Sequence, residues 1–75
     1  MRHIKHGMTY YGYHSKSGED WVILGVDQKG KKVCVAGWPA TIAELDDITN
    51  LVERSPRTLE EEVHVTKYFG VTFLN

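Results

Sequence analysis

The chain has few of the residues that usually cross-link or anchor a very small protein. Its 75 residues include one cysteine, Cys34, and two prolines, and no apolar run approaches the length of a membrane span. One cysteine excludes the internal disulfides typical of secreted mini-proteins and favours a reducing compartment. The basic start of the chain also lacks the apolar segment of a signal peptide. We therefore expect a cytoplasmic protein.

The composition has no strong bias, but the charges are sorted along the chain. Apolar residues make up 41% and charged residues 25%, with a net charge of −1, which is typical of an ordinary globular protein. Residues 1–38 hold six Lys/Arg and three Asp/Glu, whereas residues 39–75 hold three and seven. We expect one domain over residues 1–75, with residues 1–6 flexible, a basic sheet side and an acidic helical side.

The first half of the chain reads as strands. Tyrosines at 10, 11 and 13 lie in a β-prone run that a polar turn over residues 15–20 ends. The apolar run 21–26 is short and rich in β-branched residues, which favours a central strand. A turn over residues 27–30, with Gly30 where a left-handed conformation is expected, and a returning strand over 31–37 complete a predicted β-hairpin.

The second half contains two patterns that indicate helices. Thr41 and Glu44 have the spacing of a capping box, and apolar residues at helical intervals would continue a helix to about Arg54. Residues 48–53 are also compatible with a strand, and this alternative stays open. Thr58 and Glu61 repeat the capping-box spacing after Pro56.

The predicted second helix would start near Thr58 and end at Gly70. Leu59, Val63 and either Tyr68 or Phe69 would then face the core, although a strand over residues 63–69 stays open. A last strand is expected over residues 71–74. The predicted fold is a small α+β domain of order βββ-αα-β, with an antiparallel sheet of three to four strands and helices packed on one face.

Residues 41–45 and 55–59 resemble the two ends of a helix-turn-helix of the bacterial transcription-regulator type. The connection between them is longer than that family's turn and lacks its glycine. The second helix would also present Glu60, Glu61 and Glu62 at its leading end, where DNA phosphates would repel them. We therefore interpret the resemblance as two ordinary capped helices.

A second nucleic-acid hypothesis uses the basic and aromatic residues of the predicted sheet. Exposed aromatic rings flanked by cations bind single strands through base stacking and phosphate neutralisation. The candidate residues are Tyr11, Tyr13, Lys29, Lys31 and Lys32. Because side chains alternate along a strand, Tyr11 and Tyr13 should lie on one face and Tyr10 on the other, and at least one of these two faces should belong to the core.

Metal, cofactor and catalytic signals are weak. His3, third from the amino terminus, can form an adventitious square-planar Cu(II) or Ni(II) site, but no paired Cys/His spacing of a zinc site is present. Cys34 lies between two valines in a predicted strand, where a cysteine is usually a small buried side chain. We expect no cofactor, no biological metal and no enzyme activity.

The remaining hypothesis is an interaction module. Trp38 follows a predicted strand and precedes Pro39, so its ring should stand at the edge of a layer. We predict that Trp38 and the acidic residues Glu60, Glu61 and Glu62 bind another protein or a second copy of the chain. Small α+β chains of this kind resemble accessory proteins of phages and mobile elements, which act by docking on a host protein.

Overall fold

Strands are the main secondary structure of the described residues. The structure, a computed structural model, describes residues 4–70. Its elements are β1 (Met8–His14), β2 (Glu19–Asp27), β3 (Lys32–Val35), β4 (Thr41–Glu44), a 3-10 turn (Leu45–Asp47), β5 (Ile48–Pro56) and α1 (Leu59–Phe69). The α+β class is confirmed. The numbers of strands and helices differ from the prediction, since residues 4–70 form five strands and one helix. The strand predicted over residues 71–74 lies outside the described residues.

The five strands form one antiparallel sheet in the order β4-β3-β2-β1-β5, and this sheet must be curled. β4 ends at Glu44 and β5 begins at Ile48, so the two edge strands are joined by a chain that spans at most about 14 Å. In a flat sheet they would lie four interstrand spacings apart, about 19 Å. Register shifts between β1 and β5 and between β2 and β3 supply bends.

The inner, concave side of the curled sheet holds the main core. It consists of Tyr10, Ile23, Val26, Val33, Val35, Leu45 and Ile48, all buried. Gly12 belongs to this interior because a methyl group there would lie 2.6 Å from Ile48 Cγ2. Tyr10 also fixes the start of the described chain, since its hydroxyl accepts a hydrogen bond of 2.6 Å from the Lys5 amide.

The outer side of β2 and β3 holds a second, smaller core under α1. Leu24, Cys34, Ala40 and Val65 are buried there. The helix approaches closely because position 25 is glycine: a Cβ at Gly25 would lie 2.9 Å from Val65 Cγ1. Gly25 therefore sets how closely α1 packs on β2.

The helix predicted over residues 41–54 was wrong. Residues 41–44 form β4, which pairs with β3 in a register that places Ile42 opposite Cys34, and residues 48–56 form β5 beside β1. Glu44 caps nothing with its side chain and instead forms an ion pair with Lys32 across the strands. Hydrogen bonding to the edges formed by β3 and β1 stabilises strands here more than the capping-box spacing stabilises a helix. Because the first of the two predicted helices does not form, the helix-turn-helix resemblance is also wrong.

The second predicted helix was correct in its bounds but wrong in its buried face. Thr58 and Glu61 form the predicted capping box, and Gly70 ends the helix with φ 88°. The strand alternative for residues 63–69 is thereby excluded. Of the predicted core residues Phe69 does pack against the second core, but Leu59 and Val63 are exposed, whereas Val65 is fully buried. The face that meets the sheet is the one that fits over Gly25, which the apolar spacing of α1 does not reveal.

The predicted hairpin of β2 and β3 is confirmed. Asp27 pairs with Lys32 at its closed end, and Gly30 donates an amide hydrogen bond of 3.0 Å to Asp27 Oδ1. The left-handed residue of this turn is Lys31, with φ 57°, not Gly30. A Cβ at position 30 would lie 2.5 Å from Asp27 Oδ2, so a side chain there would require the Asp27 carboxylate to move.

Candidate functional site

The segment between β3 and β4 holds Trp38 away from the rest of the molecule. At its start Ala36 donates an amide hydrogen bond of 2.9 Å to the Val22 carbonyl. At its end the buried Ala40 carbonyl accepts a hydrogen bond of 2.6 Å from the Tyr68 hydroxyl on α1. Between these two attachments the side chain of Trp38 is 94% exposed. The ring is therefore in solvent although the backbone on either side of it is held.

Glycine at position 37 contributes to this shape. A Cβ there would lie 2.9 Å from the Pro39 carbonyl oxygen, so a side chain would force the segment to open. Proline at 39 has no amide hydrogen to donate to a sheet partner, which agrees with its position between β3 and β4. The segment is thus built to turn tightly and to project residue 38.

The start of α1 lies opposite this segment, and its three glutamates have different roles. Glu61 is used structurally: its amide donates to Thr58 Oγ1 (3.2 Å), its carboxylate accepts from the Thr58 amide (2.9 Å), and it pairs with Arg54 (3.3 Å). Glu60 is exposed and forms no ion pair among residues 4–70. Glu62 lies on a different side of the helix.

Two neighbouring depressions flank Trp38, and together we call them the Trp38 groove. The first has a volume of about 240 Å³ and the second about 270 Å³. Both include Trp38 and His64. The first is also lined by Leu24, Ala36, Gly37, Thr58, Glu60 and Glu61, and the second by Pro39, Ala40, Lys67 and Tyr68. The groove thus brings Trp38 together with two of the three predicted glutamates, Glu60 and Glu61.

The groove has a charge direction along α1. Glu60 and Glu61 give its first depression negative charge at the start of the helix, and Lys67 gives the second a positive charge one to two turns later. Trp38, Pro39 and Tyr68 supply apolar surface between them. Such a groove can hold an extended segment that places a cation beside Glu60 and an apolar side chain on the indole ring.

Sequence reasoning missed His64, Lys67 and Tyr68 as part of this surface. A signal was present, because residues 60, 64 and 67 have the i, i+4, i+7 spacing of one helix face. The sequence does not show, however, which face of α1 lies beside Trp38. That depends on the packing of Val65 over Gly25.

The predicted nucleic-acid residues are not brought together. Tyr11 and Tyr13 lie exposed on the outer side of β1, where Tyr11 is opposite Val22 of β2 and Tyr13 is opposite Asp20. Lys32 is opposite Asp27, five residues further along β2 from Val22, or about 17 Å. The aromatic and basic groups therefore lie near opposite ends of the sheet.

Interactions of the charged residues further weaken the nucleic-acid hypothesis. Lys32 is paired with Glu44, and the Arg54 guanidinium lies 6.0 Å from the centroid of the Tyr11 ring, over which a base would have to stack. Lys29 and Lys31 form no ion pair among the described residues. Three lysines of the first half of the chain are paired with carboxylates of the second half: Lys5 with Glu53, Lys16 with Asp47 and Lys32 with Glu44.

Buried polar chemistry lies beneath α1 but does not form a reactive site. Cys34 is fully buried, and burial raises the pKa of its thiol to about 11, an effect that the nearby Arg57 opposes. The same burial lowers the pKa of Arg57, against the influence of Glu62, Cys34 and Glu61. Arg57 donates a hydrogen bond of 3.1 Å to the Leu24 carbonyl. At neutral pH Cys34 is therefore a protonated thiol without access to solvent.

Metal and membrane signals can be checked over residues 4–70. No group of three or more His, Cys, Asp or Glu side chains in this part of the chain has the arrangement of a metal site. His3 lies outside the described residues. Within the same residues no helix has the length and apolar character needed to cross a membrane.

Comparisons with known proteins identify no relative: no protein-family model matches the chain, and no curated protein or solved structure is significantly similar to it.

Proposed function

We propose that this protein is a non-enzymatic interaction module that binds another protein through the Trp38 groove. The observation that supports this most strongly is the 94% exposure of Trp38 on a segment fixed at both ends. Tryptophan is rarely left in water, and it is enriched among the residues that dominate binding energy at interfaces. A fixed backbone also reduces the entropy lost when a partner binds.

The groove favours a partner segment of defined chemistry. Glu60, which forms no ion pair among the described residues, selects a lysine or arginine at one end, and the ring of Trp38 offers an apolar face next to it. An arginine can also stack on the indole through a cation–π contact. The proposed ligand is therefore an extended segment of a partner protein that carries a basic residue followed by apolar ones.

No catalytic step is part of this proposal. The Cys34 thiol is buried and has a pKa of about 11, which does not suit a nucleophile at neutral pH. We also keep the expectations of no cofactor, a cytoplasmic setting and an accessory role of the phage or mobile-element type. The single cysteine supports the second of these.

Single-stranded nucleic-acid binding remains the second candidate. The exposure of Tyr11 and Tyr13 on one side of β1 favours it. The separation of these rings from the lysines, and the pairing of Lys32 with Glu44, make it the weaker of the two.

Affinity capture with and without nuclease separates the two candidates. Wild-type protein, Trp38→Ala and Tyr11→Ala would be immobilised and exposed to lysate; the two variants each remove one exposed aromatic ring. We expect a defined protein that stays bound after nuclease, is lost with Trp38→Ala and is kept with Tyr11→Ala. Material that disappears with nuclease, or with Tyr11→Ala alone, would favour nucleic-acid binding instead.

A further inference from the structure

The helix α1 has an apolar surface that does not pack on the sheet and that shares only Lys67 with the Trp38 groove. Leu59 is 83% exposed and Val63 66% exposed, and they lie one turn apart. Val65, which packs on the sheet, is two residues or about 200° further around the helix. Leu59, Glu62, Val63, Thr66 and Lys67 line one shallow depression of about 390 Å³, which we call the Leu59 stripe.

The spacing of this stripe is that of a helix that packs against another helix. Residues 59, 63, 66 and 70 follow one another at intervals of four, three and four, which keeps them on one line along the helix. The line contains two aliphatic residues, one threonine and Gly70. A Cβ built at Gly70 would meet no atom of residues 4–70 within 4 Å.

The charges beside the stripe are complementary to those of a second, antiparallel stripe. Glu62 lies near one end and Lys67 near the other. Neither forms an ion pair among residues 4–70, although Glu62 acts electrostatically on Arg57. In two antiparallel helices related by a two-fold axis between residues 64 and 65, each Glu62 faces the other copy's Lys67.

The same two-fold axis also places the other residues of the stripe opposite one another. Val63 of one copy then faces Thr66 of the other, and Leu59 faces Gly70, the smallest residue of the stripe. Complementarity of charge and of size therefore arises from a single symmetric arrangement, as an isologous interface requires. We propose that the Leu59 stripe is a homodimer interface in which two α1 helices pack antiparallel.

This dimer is weak, because α1 has eleven residues and is only about 16 Å long. It covers much less surface than the roughly 800 Å² per partner of a standard interface, so we expect dissociation between about 10 μM and 1 mM. It does not depend on the Trp38 groove: Trp38→Ala should dimerise like the wild type.

Sedimentation equilibrium of the full chain up to about 1 mM tests the proposal. We expect a monomer–dimer equilibrium that Val63→Glu weakens at least tenfold, since the variant adds a carboxylate to an exposed position of the stripe. Val52→Glu is the matched control: this residue is similarly exposed but lies on β5, and its variant should dimerise normally. A wild-type protein that stays monomeric, or a Val63→Glu variant that dimerises normally, overturns the proposal.

A charge exchange tests the antiparallel register. Lys67→Glu alone gives four carboxylates at the interface and Glu62→Lys alone gives four ammonium groups, so each variant should dimerise less than the wild type. Mixing the two should restore a 1:1 heterodimer at least tenfold tighter than either homodimer. Circular dichroism shows that each variant is folded. Mixed variants that associate no better than each alone would overturn the proposed register.

Discussion

The packing of α1 on the sheet predicts a strong energetic coupling between Gly25 and Val65. A methyl group added at Gly25 would lie 2.9 Å and 3.0 Å from the two methyl groups of Val65 and 3.3 Å from Arg57 Nη1. Val65→Ala removes both Val65 methyl groups. The two substitutions together should therefore restore a fit that either one alone destroys.

The expected magnitudes follow from the groups removed and added. Val65→Ala loses two buried methyl groups at about 0.8 kcal/mol each and leaves a cavity, partly offset by the better helix propensity of alanine, for a total near 2 kcal/mol. Gly25→Ala overpacks the same place and costs about 1–3 kcal/mol. In the double variant the new methyl fills the vacated space, so we expect a loss near 1 kcal/mol and a coupling energy of about 2–4 kcal/mol.

Urea unfolding at micromolar concentration, followed by tryptophan fluorescence, measures this cycle. Trp21 is the informative reporter because it is half-buried and stacked on His14, with ring centroids 3.7 Å apart. A domain of 75 residues has a free energy of unfolding of about 4–11 kcal/mol, so every variant should stay folded in water. Val65→Ala should melt roughly 8–16 °C below the wild type, and Gly25→Ala roughly 4–24 °C below it.

A matched cycle of Gly25→Ala with Val63→Ala provides the control. Val63 is on the same helix but exposed, so its substitution should cost less than about 0.5 kcal/mol and add independently. Additive losses in the Gly25 and Val65 cycle, within about 0.5 kcal/mol, would refute the close approach of α1 to β2. A Val63 that couples as strongly as Val65 would show that the wrong face of the helix is buried.

Two further predictions concern Cys34 and the lysines of the hairpin. Cys34 should react slowly with a bulky thiol reagent until urea unfolds the protein. Burial raises the pKa of this thiol from 9.0 to about 11 in the folded protein, so the free energy of unfolding should decrease as pH rises through this range. The decrease should be smaller in Cys34→Ala. Fast labelling of the folded protein would contradict its burial. Single-stranded DNA should bind at best weakly in fluorescence anisotropy; a sub-micromolar, salt-sensitive affinity that a Lys29, Lys31 and Lys32 triple alanine variant loses would reverse the order of the two proposed functions.

The parts of the fold that the sequence predicted are those with local causes. The hairpin of β2 and β3 follows from an apolar β-branched run and a short polar turn, and the bounds of α1 follow from the Thr58 cap and Gly70. The prediction of a helix over residues 41–54 was wrong because their apolar spacing is compatible with both a helix and a strand. Which of the two forms depends on pairing with β3 and β1. Local signals contain no information about those distant edges.

For the candidate site, too, only the features with a local cause could be predicted from the sequence. That Trp38 would stand at a layer edge followed from its position before Pro39, and the structure gives the ring 94% exposure. The association of Trp38 with Glu60 rather than Glu62 depends on the rotation of α1 about its axis. That rotation is set by Val65 and Gly25, which are forty residues apart in the chain.

The affinity of the captured protein for Trp38→Ala tests the central claim most directly. The account predicts that this variant keeps the wild-type melting temperature within a few degrees, since its ring is in solvent, while binding weakens by about 30-fold, or about 2 kcal/mol. Tyr11→Ala should bind like the wild type. A Trp38→Ala protein that binds its partner with unchanged affinity, or that loses its fold, would contradict the account.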